Sequence, residues 1–328
     1  MKKARYTERG PMPQASIECV DFPDPVLAEG QALVQVLAAP INPSDVLTLT
    51  GQYGTLPPLP AIGGNEGVGK VIAHGPGVSA PPLGQTVLLP RGAGTWATHV
   101  VGDAQRLMPL PNEADPLQLA MMVVNPPTAS LMLSEFVDLK PGEWVIQNAA
   151  NSGVGEYLVQ LARLRGLKTV NVVRRESAAA AVRSAGGDVV LIDGPGLDQR
   201  VGEATGKASI RLAIDAVGGQ ATNRLADCVA EGGTLVNYGM MSGEDCVVSP
   251  RSFIFRDVTL RGFWLALWFR RATPQQQMAM LGEIGKLIAK GQLKARIQAT
   301  YDVTEIKQAV AAAAAGERDG KILIVPKA

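Results

Sequence analysis

Residues 144–155 have the sequence WVIQNAANSGVG, in which a short apolar strand runs into a turn of small residues. Ala150, Ser152 and Gly155 stand at the three positions that glycines occupy in a dinucleotide-binding turn. Such a turn needs small side chains for its tight bend, for close approach of pyrophosphate and for packing of helix on strand. Amides at the start of the next helix would bind the phosphates. Because two of the three positions are not glycine, a turn that binds no ligand remains the alternative.

Short apolar segments surround this turn and alternate with helical stretches. The segments cover residues 144–147, 169–173, 189–192, 212–214, 234–237 and 258–260. Alternation at this spacing predicts an α/β fold with a Rossmann-type, doubly wound parallel sheet. A further helix is predicted from Thr273-Pro274 to about Lys290, and the last apolar segment, 321–325, could return to the sheet of the first domain.

The first hundred residues differ in character, because proline and glycine interrupt short β-rich segments such as 32–37 and 67–73. This pattern predicts a β-barrel-like unit. Residues 115–138 lose most turn residues and are predicted to be helical. A length of 328 residues favours two domains. We expect one domain at 1–122 with 275–328 and the other at 123–274.

The charge balance argues against several classes of partner. With 31 basic and 30 acidic side chains the net charge is +1, which supplies no field for nucleic acid. No apolar run approaches the roughly 18 residues of a membrane span, so no membrane partner is expected.

The three cysteines, Cys19, Cys228 and Cys246, lie far apart in sequence, which favours a reducing compartment. The first residues do not read as a secretory signal, and a cytoplasmic location is expected.

Arg174 and Arg175 follow the second predicted strand, where the residue that recognises the ribose belongs. Arginine matches the 2′-phosphate of NADP, whereas an acidic residue would accept the 2′-hydroxyl of NAD. NADPH is therefore the expected cofactor. The alternative is a pair of solvated arginines, one of them neutralised by Glu176.

A β-rich domain before a dinucleotide domain resembles the medium-chain dehydrogenase/reductase superfamily, and residues 64–69, GNEGVG, look like its glycine–histidine–glutamate motif. The resemblance implies a GroES-like β-barrel catalytic domain. Zinc members bind the metal through the histidine, but this position is Asn65, and the usual cysteine position falls in residues 42–45, NPSD. Only His74 and His99 offer imidazole, so no zinc is expected.

A closer resemblance, to one family within this superfamily, rests on several strings that occur in order from about residue 41 to 268. They are INPSD (41–45), GQYG (51–54), LPAIGGNEG (59–67), VNP (124–126), QNAANSGVG (147–155), NVVR (171–174) and LRGFWL (260–265). Together they resemble the mitochondrial-type trans-2-enoyl thioester reductases, although the NPSD string and the glycine turn also occur in quinone oxidoreductases. The resemblance implies NADPH-dependent reduction of the C2=C3 double bond of enoyl-CoA or enoyl-ACP. It also implies a homodimer formed through edge strands of the cofactor sheet.

By this resemblance Tyr53 is the catalytic residue. Hydride delivery to the β-carbon creates an enolate, and a phenol can hydrogen-bond to its oxygen or supply the proton for the α-carbon. The alternative is an ordinary turn tyrosine between Gly51 and Gly54.

The other site residues also come from the resemblance. The cofactor contacts it implies are Asn125, Asn151, Ser152, Gly153, Val154, Arg174, Arg175, Tyr238, Gly239, Met240, Met241, Phe263, Trp264, Leu265 and Lys321. Trp264 would line an acyl pocket, with Arg270 and Arg271 near the phosphates of the carrier. The alternatives are a quinone oxidoreductase, which has less need of Tyr53, and a catalytically idle NADPH-binding protein.

Overall fold

The computed structural model describes residues 1–316 and 318–327. The chain divides into two compact units. Unit 1 consists of Met1–Val124 and Leu281–Ala328, and unit 2 of Asn125–Met280. Within the described ranges, no helix has both the length and the apolar character needed to cross a membrane.

The first part of unit 1 is mainly β-structure, as its turn-rich sequence predicted. Its elements are β1 (Lys2–Tyr6), β2 (Ile17–Asp21), β3 (Gln31–Ile41), α1 (Pro43–Thr50), β4 (Ala61–Ile62), β5 (Val68–His74), β6 (Thr86–Leu88), β7 (His99–Asp103), β8 (Met108–Pro109) and α2 (Pro116–Leu119).

Unit 2 alternates helices and strands. Its elements are α3 (Asn125–Met132), β9 (Trp144–Gln147), α4 (Gly153–Leu164), β10 (Lys168–Val173), α5 (Ala179–Ser184), β11 (Val189–Ile192), α6 (Leu197–Thr205), β12 (Ile210–Asp215), α7 (Gly219–Cys228), β13 (Thr234–Asn237), α8 (Pro250–Arg256), β14 (Thr259–Gly262) and α9 (Leu265–Arg271). The chain then continues through α10 (Pro274–Ala289) to the last elements of unit 1, which are β15 (Ile297–Tyr301), α11 (Ile306–Ala314) and β16 (Lys321–Ile324).

The six strands of unit 2 are all parallel, in the order β11-β10-β9-β12-β13-β14. This confirms the predicted doubly wound sheet. The strand order reverses between β9 and β12, and ligands of such sheets bind at the carboxyl ends of strands beside that point. Apolar residues of the strands and helices, such as Ile146, Ala213 and Leu225, form the core beneath it.

Unit 1 contains a three-stranded sheet, β2-β1-β4, and a seven-stranded sheet built around β3. β3 pairs with β5 over residues 32–38 and with β7 over the overlapping residues 31–35, and its last residues, 39–41, pair with β16. Ile322 of β16 lies opposite Ile41 of β3, and both are fully buried. The predicted return of the last segment to this sheet is confirmed, and it places Lys321 beside the start of α1.

Candidate active site

The turn after β9 is held by hydrogen bonds of its own. The Ala149 carbonyl accepts from the Ser152 N–H at 2.8 Å, and Ala149 has a φ of +46°. Ser152 caps α4, because its Oγ accepts from the Gly155 N–H at 3.1 Å. A Cβ on Gly155 would lie 2.5 Å from the Ala150 carbonyl oxygen, so helix and turn are in close contact. The first amides of a helix held in this way favour an anion.

A buried carboxylate, Asp215, ties together the carboxyl ends of three strands. Its Oδ1 accepts from Asn148 Nδ2 at 2.6 Å, just after β9. Its Oδ2 accepts from Asn237 Nδ2 at 3.0 Å, at the end of β13, and from Thr222 Oγ1 at 2.6 Å, in α7. Asn148 Oδ1 in turn accepts from the Ala216 N–H at 2.8 Å. This network fixes the edge of the sheet where a ligand is expected.

Tyr238 follows β13 and lies against the turn after β9. Its side chain hydrogen-bonds with that of Ser152, and burial raises the pKa of its phenol above the usual value. Gly239 comes next, where a Cβ would stand 2.7 Å from a backbone carbonyl oxygen. Met240 and Met241 are then 61% and 67% exposed. The structure thus brings two of the predicted cofactor segments together.

The arginine pair follows β10, which neighbours β9 in the sheet. The Ala150 N–H donates to a carbonyl oxygen of β10 at 3.3 Å, so the turn and the end of β10 lie side by side. Arg174 is exposed and Arg175 half-buried. Glu176, considered above as a neutralising partner, forms an ion pair with Arg183 at 3.4 Å.

The residues that follow β14 remain next to the end of β13. The Phe263 N–H donates at 2.9 Å to the carbonyl oxygen that ends β13. Trp264 and Leu265 are half-buried. The Arg270 guanidinium stands 4.8 Å from the centroid of the Trp264 ring, a cation–π contact, and Arg271 ends α9 in an exposed position.

Unit 1 contains a buried polar cluster, which we call the Asn42 cluster. Its members are Asn42, Asp45, Asn65, Glu66 and Lys321. Asn42 precedes α1, and its N–H donates to Asp45 Oδ2 at 2.7 Å. The other oxygen of Asp45 accepts from Asn65 Nδ2 at 2.6 Å. Lys321, expected to contact the cofactor, donates from Nζ to Asn42 Oδ1 and is buried here.

Glu66 connects this cluster to the end of the first part of unit 1. Its Oε1 accepts from Asn42 Nδ2 at 2.7 Å. Its Oε2 accepts from the N–H groups of Val123 at 2.8 Å and Val124 at 3.0 Å. The next residue, Asn125, begins unit 2 and is itself buried. One carboxylate therefore fixes the segment from which the chain enters unit 2.

Burial dominates the electrostatics of the cluster. It raises the pKa of Asp45 from 3.8 to about 6 and that of Glu66 from 4.5 to about 7, while the Lys321 ammonium opposes both shifts. Burial also lowers the pKa of Lys321 from 10.5 to about 8, and Glu66 opposes this. Hydrogen bonds from Asn42 and Asn65 also oppose the shift of the Asp45 pKa, and one from Asn42 opposes that of Glu66.

Tyr53 lies in the loop that follows α1. Gly51 ends the helix with a φ of +79°, and the N–H groups of Gln52 and Tyr53 both donate to the Leu47 carbonyl, at 2.8 and 3.1 Å. The side chain is half-buried and interacts electrostatically with that of Arg91. A cation beside the phenol suits a site where negative charge develops on a substrate.

Sequence reasoning missed the Asp215 network and the hydrogen bonding of the Asn42 cluster. A signal existed for the network, because Asn148, Asp215 and Asn237 all stand at the ends of apolar strands. The cluster had no comparable signal, since Asn42, Glu66 and Lys321 are far apart in sequence.

Two family models match the chain in succession. The alcohol dehydrogenase GroES-like domain covers residues 28–112, and the zinc-binding dehydrogenase model covers residues 153–283. With the β-rich unit before a Rossmann-type sheet, they define the class as medium-chain dehydrogenase/reductase.

Curated relatives narrow this class. The rat mitochondrial enoyl-[acyl-carrier-protein] reductase is 40% identical over 288 residues, covering 85% of this chain and 76% of the relative. The Caenorhabditis elegans protein of the same description is 38% identical over 294 residues, covering 87% of this chain and 83% of the relative. The chain therefore belongs to the enoyl-[acyl-carrier-protein] reductase family.

The similar solved structures include enoyl thioester reductases and a quinone oxidoreductase. The mitochondrial 2-enoyl thioester reductase Etr1p/Etr2p heterodimer from Candida tropicalis is 28% identical, with a TM-score of 0.85 and 99% coverage of both chains. A complex of Etr1p with NADP and crotonyl-CoA is 26% identical, with a TM-score of 0.86 and the same coverage. A mycobacterial quinone oxidoreductase is 26% identical, with a TM-score of 0.84, covering 99% of this chain and 100% of its own.

The relatives also correct one expectation. A cytoplasmic location was predicted, but the rat, Caenorhabditis elegans and human relatives are all described as mitochondrial. The cytoplasmic prediction was wrong, because composition and the first residues carry too little information about location.

A family model described as zinc-binding raises the question of whether these residues fit zinc. Asn65 donates its amide to Asp45, and Asn42 lies between Glu66 and Lys321. Among residues 1–316 and 318–327, no group of three or more His, Cys, Asp or Glu side chains could hold a metal ion. The donor set of the cluster, with two amides and an ammonium, does not fit zinc.

Proposed function

We propose that this protein reduces the C2=C3 double bond of trans-2-enoyl thioesters with NADPH. The observation that carries the proposal is the 40% identity, over 85% of this chain, to the rat enoyl-[acyl-carrier-protein] reductase. A similar solved reductase, matched over 99% of both chains, is in complex with NADP and crotonyl-CoA. Unit 2 is proposed as the NADPH-binding domain and unit 1 as the catalytic domain. NADPH supplies a hydride for the β-carbon when it is bound.

The cofactor residues of unit 2 fit NADPH. The amides of Asn151–Val154 at the start of α4 would bind the pyrophosphate. Arg174 and Arg175 would hold the 2′-phosphate, because their guanidinium forks match its oxygens. The remaining cofactor contacts that we propose, near the nicotinamide or facing the substrate, are Asn125, Tyr238, Gly239, Met240, Met241, Phe263, Trp264, Leu265 and Lys321.

Tyr53 is proposed as the catalytic residue. As the β-carbon receives hydride, the electron pair of the double bond moves towards the thioester and the carbonyl oxygen becomes an enolate oxygen. The Tyr53 hydroxyl would donate a hydrogen bond to that oxygen or deliver the proton that the α-carbon needs. Either role requires a phenol held in one position.

The substrate carrier would meet the aromatic segment after β14. Trp264 offers an apolar face for the acyl chain, and its cation–π contact orients Arg270. Arg270 and Arg271 would pair with phosphates of coenzyme A or of an acyl carrier. No zinc takes part in this proposal, because the Asn42 cluster is satisfied by its own hydrogen bonds and charges.

We propose a homodimer through the edge of the unit 2 sheet. β14 is the edge strand, and α8 before it exposes Ile254 and Phe255 by 69% and 74%. An edge strand beside an apolar patch can pair with the same edge of a second copy around a two-fold axis.

The proposed function is tested by following NADPH absorbance with crotonyl-CoA and, separately, with a simple quinone. We expect turnover of the thioester, and a roughly 10²–10⁴-fold lower kcat in Tyr53→Phe with NADPH binding intact. Turnover of the quinone alone would reject the proposal in favour of a quinone oxidoreductase, and turnover of neither would favour a protein that only binds NADPH.

The choice of cofactor has its own test. Replacing Arg174 and Arg175 by alanine should weaken NADPH binding by more than about tenfold and leave NADH nearly unchanged, since only NADPH carries the 2′-phosphate. Equal losses for both nucleotides would contradict the assignment.

A further inference from the structure

Arg9 lies beyond β1 and contacts the loop that carries Tyr53. Its Nη2 donates to the Pro57 carbonyl oxygen. Its aliphatic chain passes over Gly51, where a Cβ would stand 3.6 Å from Arg9 Cδ. These two contacts lie on either side of Tyr53 in sequence. The arginine therefore spans the loop from its start to its far side.

Arg9 is held in turn by Tyr6, a residue of the hydrophobic core of unit 1. Tyr6 of β1 is 3% exposed, and its side chain hydrogen-bonds with that of Arg9. The Arg9 guanidinium carbon lies 5.9 Å from the centroid of the Tyr6 ring. The Gly10 N–H donates to the Leu49 carbonyl at 3.2 Å, which fixes the segment of Arg9 against α1.

Within the described residues, few other hydrogen bonds hold the loop after Tyr53. The start is fixed by the hydrogen bonds from Gln52 and Tyr53 to Leu47. Residues 54–60 are exposed, and across the described ranges the hydrogen bond from Arg9 is the one that reaches them. Removing it would deprive the segment after Tyr53 of this hydrogen bond.

We infer that Arg9 is a positioning residue for Tyr53, holding the loop so that the phenol meets the carbonyl oxygen of the substrate. This inference rests on the proposed function, because it assigns Arg9 no chemistry except through Tyr53. A proton donor works only within about 2.6–3.2 Å of its acceptor, and misplacement by about 1 Å can cost a large factor in rate.

The experiment is a double-mutant cycle on turnover of crotonyl-CoA with NADPH. We expect Arg9→Ala to lower kcat about 3- to 10-fold with little change in the KM for NADPH. Arg9→Lys should recover part of the loss, because an ammonium can also donate to the Pro57 carbonyl. In a Tyr53→Phe background, Arg9→Ala should have no further effect beyond twofold, since the group it positions is gone.

Arg5→Ala is the matched control. Arg5 lies on the same strand as Tyr6 and forms an exposed ion pair with Glu18 at 2.8 Å. It should leave kcat unchanged and match Arg9→Ala in thermal stability. A loss of kcat in Arg5→Ala equal to that in Arg9→Ala would overturn the inference, because any change near β1 would then be enough to lower kcat.

Two other outcomes separate the inference from the proposed function. If Tyr53→Phe is slow and Arg9→Ala reduces kcat by the same factor in both backgrounds, Arg9 does not act through Tyr53 and only the inference fails. If Tyr53→Phe turns over like the wild type, the proposed role of Tyr53 fails, and the inference fails with it.

Discussion

Gly155→Ala tests whether stability and NADPH binding require the close contact of α4 with the turn after β9. The three atoms nearest to the added carbon, at 2.5, 2.7 and 2.8 Å, all belong to the backbone of Ala149 and Ala150. None of them can move aside as a flexible side chain would, so α4 must shift by about 0.5 Å. The shift would also strain the hydrogen bonds of Gly155 with Ser152 and with Gln147.

The expected cost follows from these two effects. Overpacking against backbone costs about 1–3 kcal/mol, and weakened hydrogen bonds add about 1 kcal/mol. Alanine's higher helix propensity offsets about 1 kcal/mol of this, so we expect the free energy of unfolding, measured in urea, to fall by about 1–3 kcal/mol. NADPH should bind at least about tenfold more weakly in a fluorescence titration, because the helix amides move away from the phosphates.

Gly202→Ala provides the control within the same unit. Gly202 lies in α6, where the nearest atom to an added Cβ is Lys207 Cγ at 4.0 Å. Alanine there should raise the free energy of unfolding by about 0.5–1 kcal/mol and leave NADPH binding unchanged. The reasoning is refuted if Gly155→Ala unfolds and binds NADPH like the wild type, or if the two variants behave alike.

Because the pKa of Glu66 is raised from 4.5 to about 7, the folded state binds the proton more tightly, so stability falls as pH rises through this range. Urea titrations at several pH values should show a shallower fall in Glu66→Gln, and an unchanged slope would contradict the shift. Asp215→Ala should cost about 3–5 kcal/mol in urea, since it removes the acceptor of the Asn148 amide and of the Thr222 hydroxyl, whereas a loss below about 1 kcal/mol would argue against the network. Phe255→Glu should convert the proposed dimer to a monomer in size-exclusion chromatography with light scattering, and a dimer that survives it would place the interface elsewhere.

Local patterns predicted much of unit 2. The strands at 144–147, 189–192 and 234–237 were predicted with the bounds that the structure has, because each is a short apolar run between turn residues. The shape of the turn after β9 followed from its small residues. The predicted strands at 212–214 and 258–260 had less accurate ends, since polar residues such as Arg211 and Arg261 belong to them.

The Asn42 cluster could not be predicted in the same way. Its geometry depends on the pairing of β16 with β3, which places Ile322 opposite Ile41 and so brings Lys321 to Asn42. Pairing between segments this far apart is decided by packing of the whole unit and leaves no local pattern. The sequence did identify Asn65 as unusual, but its partner Asp45 became evident only from the fold.

The placement of β16 in unit 1 has a consequence for the order in which the chain folds during synthesis. All of residues 125–280 emerge from the ribosome before β16 does, so unit 2 can fold while the end of β3 still lacks its partner. Domains usually complete from the N-terminus onwards, and this chain reverses that order. Until Lys321 is in place, Asn42 lacks its hydrogen bond from Lys321, and Glu66 lacks the cation that opposes the cost of its burial. Pairing of β16, the last strand to be synthesised, with β3 is therefore the step that buries Asn42, Glu66 and Lys321 together.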